Sequence, residues 1–416
     1  MFRKTVVPSL AVAALAACGG GGETGGGWAG TASDSAGVQI VANPTTPMWP
    51  DGEGWRVEEM LRIGEPAGDP EYQFGQIAGV AITSAGQVLV MDQQAQELKV
   101  FGADGTWVRT IGEPGNGPGQ FGPQAGPVLV GRGDTVLVPD LGNQRVSLFL
   151  PDGESLGSFR SGFESGIPIR WEMTRDGTPV TQLRAFTLPG QAADPADTMD
   201  VIVKRTYDGA VTDTLFRVPA GKTFSFAGGA PEFHFFSPEP MWTLARDGGL
   251  VLGVNNVMSF RVFGPDGELR RIVRMPVEPK TVTEEDESIF VETLERLWNQ
   301  AGVPPEAIAQ LKQGVSFEDR FPAYVQVLAG PAGSLWVQRI IRPTDLSAEE
   351  KEDFNPLQNL GSPEWDVFDG EGRYLGVVEM PFHFQPTAFA GDEVYGVWRD
   401  DLDVQYAMVL RIVGVD

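Results

Sequence analysis

A chain of 416 residues, 42% hydrophobic and 21% charged, can bury a large core, and its 31 Lys plus Arg against 56 Asp plus Glu leave a net charge of −25. Nucleic acid is thereby disfavoured as a partner, because binding it depends on neutralising phosphates with cations. One cysteine excludes an intramolecular disulfide framework, and no apolar run beyond the N-terminal region is long enough for a transmembrane helix.

The chain opens with Met1-Phe2-Arg3-Lys4 and an apolar stretch from Thr5 to Ala14, the basic and hydrophobic regions of an export signal. Leu15-Ala16-Ala17-Cys18 follows, and it resembles the bacterial lipobox, whose cysteine is diacylated and becomes the new N-terminus. The resemblance implies a lipoprotein signal peptide over 1–17, lipidation of Cys18, and membrane attachment through that lipid only. Gly19, in place of the Asp that retains lipoproteins at an inner membrane, favours the outer membrane in a cell that has two. The Gly-rich stretch from Gly20 to Thr31 predicts a flexible tether, so 18–50 is assigned to the lipidated cysteine and tether, and 51–416 to the folded domain.

Within that domain one phrase returns: Val100-Phe101-Gly102-Ala103-Asp104-Gly105, Leu148-Phe149-Leu150-Pro151-Asp152-Gly153, Val262-Phe263-Gly264-Pro265-Asp266-Gly267 and Val367-Phe368-Asp369-Gly370-Glu371-Gly372. Each is a β-branched and aromatic run broken by a glycine turn, which predicts a repeated hairpin whose Asp-Gly supplies positive φ angles. Six units follow, at about Ile77–Ile111, Val128–Phe159, Trp171–Val218, Met241–Met275, Tyr324–Met380 and from Pro386 onward. Trp55 to Ile63 is a candidate to pair into the last unit and close a ring. The expected fold is all-β, a six-bladed β-propeller.

Gly115-Asn116-Gly117-Pro118-Gly119-Gln120-Phe121, the strand Val136 to Asp140, Asn143 with Arg145-Val146, and Pro151-Asp152-Gly153 resemble NHL-type repeats, which build six-bladed propellers. The likeness is good over 77–160, fair over 241–276, 324–341 and 365–381, and weak in the third and sixth units.

In a four-stranded blade, the turns joining strands A to B and C to D lie on one face of the disc. Here those turns are all short, as at Ser84 to Gly86 or Asp247-Gly248, while every long excursion falls on the other face. Function is expected there, where loops lengthen on a rigid scaffold. The largest excursion, 277–322, predicts a small helical insertion between blades 4 and 5. Thr281 and Thr283 are N-cap candidates, Ile289, Phe290, Leu294, Leu297 and Trp298 form one apolar stripe, and Gly302 ends the first helix before Pro304-Pro305 opens a second.

Registering the units on their A–B turns aligns Asp92, Asp140, Leu183, Val254, Arg339 and Trp398 at the ends of the B strands. For Asp92 and Asp140 a local role, accepting hydrogen bonds from the following turn, competes with ligand binding. Arg339, and Trp398 beside Arg399, are ligand-binding candidates, with pairing to a neighbouring blade's acid the alternative for Arg339. His234 and His383 stand in similar Phe-rich loops on the expected functional face, where an imidazole is a base or ligand, or simply a packed loop residue.

Three functions fit this pattern. The first is a lipid-anchored envelope propeller that binds a protein, peptide or glycan without catalysis and needs no cofactor. The second is a calcium-dependent lactonase- or lyase-like enzyme, in which Asp92, Asp140 and the Asn255-Asn256 pair would supply oxygen donors; two histidines fall short of the set that holds zinc in NHL-type lyases. The third is a solute sensor with the helical insertion as a lid. No His-Glu-x-x-His or phosphate-loop motif occurs.

Overall fold

The computed structural model describes residues 27–163, 166–185, 199–221, 223–227, 230–357 and 360–415. The signal peptide, Cys18 and most of the Gly-rich stretch therefore lie outside the described residues.

At the first repeated phrase, the Gly105 N–H donates to the Gly102 carbonyl at 2.9 Å, and Gly105 adopts φ +80°. Glycine alone supplies the left-handed angle. Asp104 contributes differently, its carboxylate accepting the Thr106 N–H at 3.0 Å, as Asp152 does from Glu154 and Asp266 from Glu268. The extra residue leaves a bulge in each hairpin, where register shifts between Val100 and Phe101, Leu148 and Phe149, and Val262 and Phe263.

These hairpins complete six four-stranded antiparallel blades, A to D from the axis outward. Blade 1 is Ile77–Ile82, Val88–Asp92, Glu97–Phe101 and Trp107–Ile111; blade 2 is Leu129–Val130, Val136–Asp140, Arg145–Phe149 and Ser155–Arg160. Blade 3 is Ile167–Met173, Pro179–Arg184, Met199–Arg205 and Val211–Pro219; blade 4 is Pro240–Leu244, Leu250–Val254, Ser259–Phe263 and Leu269–Arg274. Blade 5 is Gln326–Ala329, Leu335–Ile340, Gly361–Phe368 and Tyr374–Glu379. Blade 6 takes Gln385–Ala390, Glu393–Arg399 and Gln405–Val413 from the end of the chain and Arg56–Ile63 from its beginning, with Ala407 opposite Ile63 and Val413 opposite Arg56. The ring closes as expected. Alternate side chains of each strand fill the seams between blades, where Phe101, Trp242, Phe260, Trp336 and Trp365 are fully buried, each burial stabilising by about 2 kcal/mol.

One assignment is corrected. Residues 31–42, expected to belong to the tether, form a hairpin of Thr31–Ser35 and Val38–Ala42 whose second strand pairs parallel with the outer strand of blade 4. Its turn, Ser35-Ala36-Gly37, repeats the Ser84-Ala85-Gly86 of blade 1, but Thr31–Ser35 is exposed throughout and carries no apolar alternation to announce a strand. Beyond it, the Asn43 side chain donates to the Gly372 carbonyl at 2.9 Å and accepts the Tyr374 N–H at 2.7 Å, and the Trp49 N–H bonds the Leu375 carbonyl. The N-terminal segment thus straps blades 4, 5 and 6 together.

The B–C and D-to-A connections carry all the long excursions, and three of them build a cap over that face. α1 (Glu284–Gln300) begins at Thr283, whose hydroxyl accepts the Asp286 N–H while the Asp286 carboxylate accepts the Thr283 N–H. α2 (Pro305–Gln313) follows, and α3 (Ala348–Asp353) lies in the B–C loop of blade 5. A small sheet of Phe224–Ala227, Ala230–Phe235 and Val315–Phe317 joins two of the excursions. Phe290 and Leu294 of the α1 stripe are buried against Phe235, Phe236, Phe321 and Phe354, which fastens the cap by its own aromatic core.

Candidate functional site

The first residues of the A strands surround the axis, and under the cap they border a cavity of about 520 Å³. Its walls are Ile77 and Ala78 of blade 1, Arg170 of blade 3, Met241 of blade 4, Gln326 and Gln338 of blade 5 and Gln385 to Thr387 of blade 6; Phe235, Phe236, Pro356, Leu357 and Leu360 come from the cap. Blade 2 is walled off by Arg170, whose guanidinium bonds Glu172 at 2.7 Å, reaches toward the Val327 carbonyl of blade 5 and lies 5.1 Å from the Trp242 ring centroid. Arg170 also borders a second axial space of about 490 Å³ beside blades 1 and 2, shared with Asp140, Arg145 and Ile169.

The charged groups of the axial cavity compensate each other. Glu239 receives Arg184 at 3.0 Å and the Thr223 hydroxyl at 2.7 Å, and Arg184 also holds the fully buried Asp200 at 2.8 Å. Burial disfavours the Arg184 cation, but Asp200 and Glu239 outweigh it and raise its pKa. The remaining polar lining is neutral: amides of Asn255, Gln326, Gln338 and Gln385, and hydroxyls of Ser237 and Thr387. Amides donate and accept, so this lining suits a ligand with hydroxyl or amide groups and an apolar face.

The residues singled out from sequence are not gathered there. Asp92 is buried and accepts N–H groups from Gly75, Gln76, Gln94 and Ala95; Asp140 accepts from Gly122, Asn143 and the Asn143 side chain. Both carboxylates hold loops by hydrogen bonds. With Asn255 Oδ1 accepting the Glu239 N–H at 2.8 Å, these oxygen donors stand in three different blades and do not converge on a calcium-sized site. Among the described residues no group of three or more His, Cys, Asp or Glu side chains is arranged to hold a metal ion.

Arg339 opens into a separate cleft of about 550 Å³ between blades 4 and 5, where it pairs with its own blade: Asp366 at 2.8 Å and Glu364 at 3.0 Å. Those two acids raise its pKa, against the opposing effect of burial. Trp398 donates to the Phe382 carbonyl at 3.0 Å, and the cation over its ring is Arg62, at 4.2 Å, rather than Arg399. Arg399 pairs with Asp403 and borders a third cavity of about 280 Å³, together with His383, which adopts φ +63°. His234 lies on the solvent-facing side of the small sheet, Nδ1 2.8 Å from the Ser316 hydroxyl and Nε2 3.1 Å from Glu318. Neither Ser316 nor Glu318 lines the axial cavity. Sequence reasoning missed Arg170, Glu239, Gln326, Gln338 and Gln385; the signal for two of them was a glutamine at the first position of an A strand, in blades 5 and 6.

No protein-family model matches this sequence, and no curated protein matches it. Solved structures do. A protein of Bacteroides fragilis inferred to be exported matches with a TM-score of 0.51 at 12% identity, over 90% of this chain and 99% of that one. Virginiamycin B lyase from Staphylococcus aureus, crystallised as an inactive variant with quinupristin, matches with a TM-score of 0.41 at 12% identity, over 86% of this chain and all of the lyase. The regucalcin of Agrobacterium tumefaciens, a calcium-binding protein, matches with a TM-score of 0.40 at 11% identity, over 90% of this chain and 97% of that one. At such identities only the fold is shared, and the first of these likenesses supports what the strand order shows: the chain is a six-bladed β-propeller.

Proposed function

We propose that this chain is an exported, lipid-anchored propeller of the cell envelope, attached at Cys18, that binds a protein, peptide or glycan through its loop-rich face without transforming it. The axial cavity carries this reading. Its charges are mutually paired, its uncharged polar groups are amides and hydroxyls, and its cap adds phenylalanine, proline and leucine, a lining for recognition of a neutral polar chain. Asp92 and Asp140, the donors a calcium-dependent lactonase would need, are engaged with backbone N–H groups.

The test is titration of the full-length protein with panels of peptides and oligosaccharides, beside Gln326→Ala and Gln385→Ala. Saturable binding weakened about tenfold in those variants, without change in the ligand, is expected. Metal-dependent hydrolysis of lactones or esters, lost in Asp92→Ala or Asp140→Ala, would overturn the reading in favour of an enzyme.

A further inference from the structure

Both faces of the disc carry acidic residues, but they are arranged differently. On the short-turn face several A–B turns pair one arginine with one aspartate, as in Arg132 with Asp134, Arg175 with Asp176 and Arg246 with Asp247, and the C–D turns add one or two acids each, as at Asp104, Asp152 with Glu154 and Asp266 with Glu268. On the loop-rich face, the 275–325 excursion carries ten acidic residues against four basic, the 341–360 loop five against two, and the 64–76 loop three against none.

Exposed apolar side chains distinguish the faces more sharply. Phe163, Ile169, Val257, Leu357 and Leu402 all belong to the loop-rich face, and the other large apolar residues with comparable exposure among the described ones sit on outer strands. Leu357 is 52% exposed and Leu402 81%. They belong to one track: Leu402 stands in sequence between Asp400 and Asp403, which line the 280 Å³ cavity together with Asn355, and Leu357, two residues on from Asn355, borders the axial cavity. Gln385 lines both cavities and makes them neighbours. Four carboxylates, Glu350, Glu352, Asp400 and Asp403, border the smaller cavity against Arg296 and Arg399. Arg296 is engaged by the carbonyls of Glu352 and Phe354, and Arg399 by Asp403.

Resting on the binding role proposed above, we infer that this track docks a cationic amphipathic segment of a partner protein. Its apolar side chains cover Leu402 and Leu357 and enter the axial cavity, and its lysines and arginines face the acidic loops. Charge complementarity selects the partner and sets its rate of approach, while the apolar studs supply the area removed from water.

The probes are a labelled Lys/Leu amphipathic peptide, a Lys/Ser peptide of equal charge and a Glu/Leu peptide of equal apolarity, each titrated against full-length protein. The Lys/Leu peptide is expected to bind about tenfold more tightly than either control and to weaken severalfold as salt is raised from low to physiological strength. Leu357→Ser/Leu402→Ser and Glu352→Gln/Asp403→Asn should each weaken it at least about threefold, with Glu154→Gln/Glu268→Gln on the opposite face leaving it unchanged. Equal loss from the opposite-face pair would mean diffuse attraction to an acidic protein and overturn the inference. Salt-independent binding of a neutral oligosaccharide with no preference for the Lys/Leu peptide would overturn it while leaving the binding role intact; catalytic turnover would remove both.

Discussion

The hydroxyl of Thr344, in the loop after the second strand of blade 5, donates a 2.7 Å hydrogen bond to the carboxylate of Asp286, on the first turn of α1. The same carboxylate caps its own helix and receives Arg342 at 3.2 Å. One buried side chain therefore joins two of the three excursions that form the cap.

Burial pushes the Asp286 carboxyl up, but the hydrogen bonds from Thr344, Thr283 and Arg342 outweigh it and bring it to about 2. A carboxyl lowered on folding contributes fully above its ordinary value and loses that contribution as pH falls through the folded one. Protection of the α1 amides against exchange, taken relative to their intrinsic rates, should fall between about pH 4 and pH 2, ahead of protection in the blade strands. Asp286→Asn should cost about 2 kcal/mol and flatten this pH dependence; an unchanged profile in that variant would assign the effect elsewhere.

Phe290 is fully buried, with Phe235 at 4.6 Å and Phe236 at 5.4 Å between ring centroids. Phe290→Ala should destabilise by about 3–5 kcal/mol, visible as early unfolding of the helical signal in denaturant while the β signal persists. Simultaneous loss of both signals would show the cap and ring to be a single cooperative unit.

Asp92→Ala releases four N–H groups and Asp140→Ala two N–H groups and a side-chain amide, so each should lower stability by about 2–4 kcal/mol. Asp104→Ala, on an exposed turn of the opposite face, should cost less than about 1 kcal/mol. Calcium should leave the thermal midpoint of the unaltered protein where it is. A rise of several degrees with calcium, abolished by either substitution, would contradict the loop-holding role of these carboxylates.

Arg339→Ala leaves Asp366, nearly fully buried, with the Tyr374 hydroxyl at 2.8 Å as its remaining side-chain partner among the described residues. A loss of about 3 kcal/mol is expected, recovered in part by Arg339→Leu/Asp366→Leu. If the single substitution instead leaves stability unchanged and abolishes ligand binding, Arg339 belongs to a binding site in the outer cleft.

The blades were legible because their information is local. Asp104-Gly105 and its repeats announce hairpins through residues adjacent in sequence, and Thr283 with the stripe through Trp298 announces α1 in the same way. What was hidden depends on distant partners. The strand Thr31–Ser35 has no apolar pattern because it lies on an exposed edge, and the pairing of Arg184 with Glu239, or of Arg339 with Asp366, is set by strand register that no local phrase specifies. Glutamines at the axis look ordinary in sequence, since nothing distinguishes an amide facing a cavity from one facing water.

The chain's first long strand in the ring, Arg56–Ile63, finds its partner only in Gln405–Val413. Every other blade is assembled from neighbours in sequence, so the last clasp waits for Gln405–Val413. A product broken off before Gln405 would keep five complete blades yet leave two raw edges, at Arg56–Ile63 and at Glu393–Arg399, with their backbone groups open to proteases and to other chains. The architecture thereby inspects its own assembly: only a chain that reaches Val413 can hide both edges of its ring.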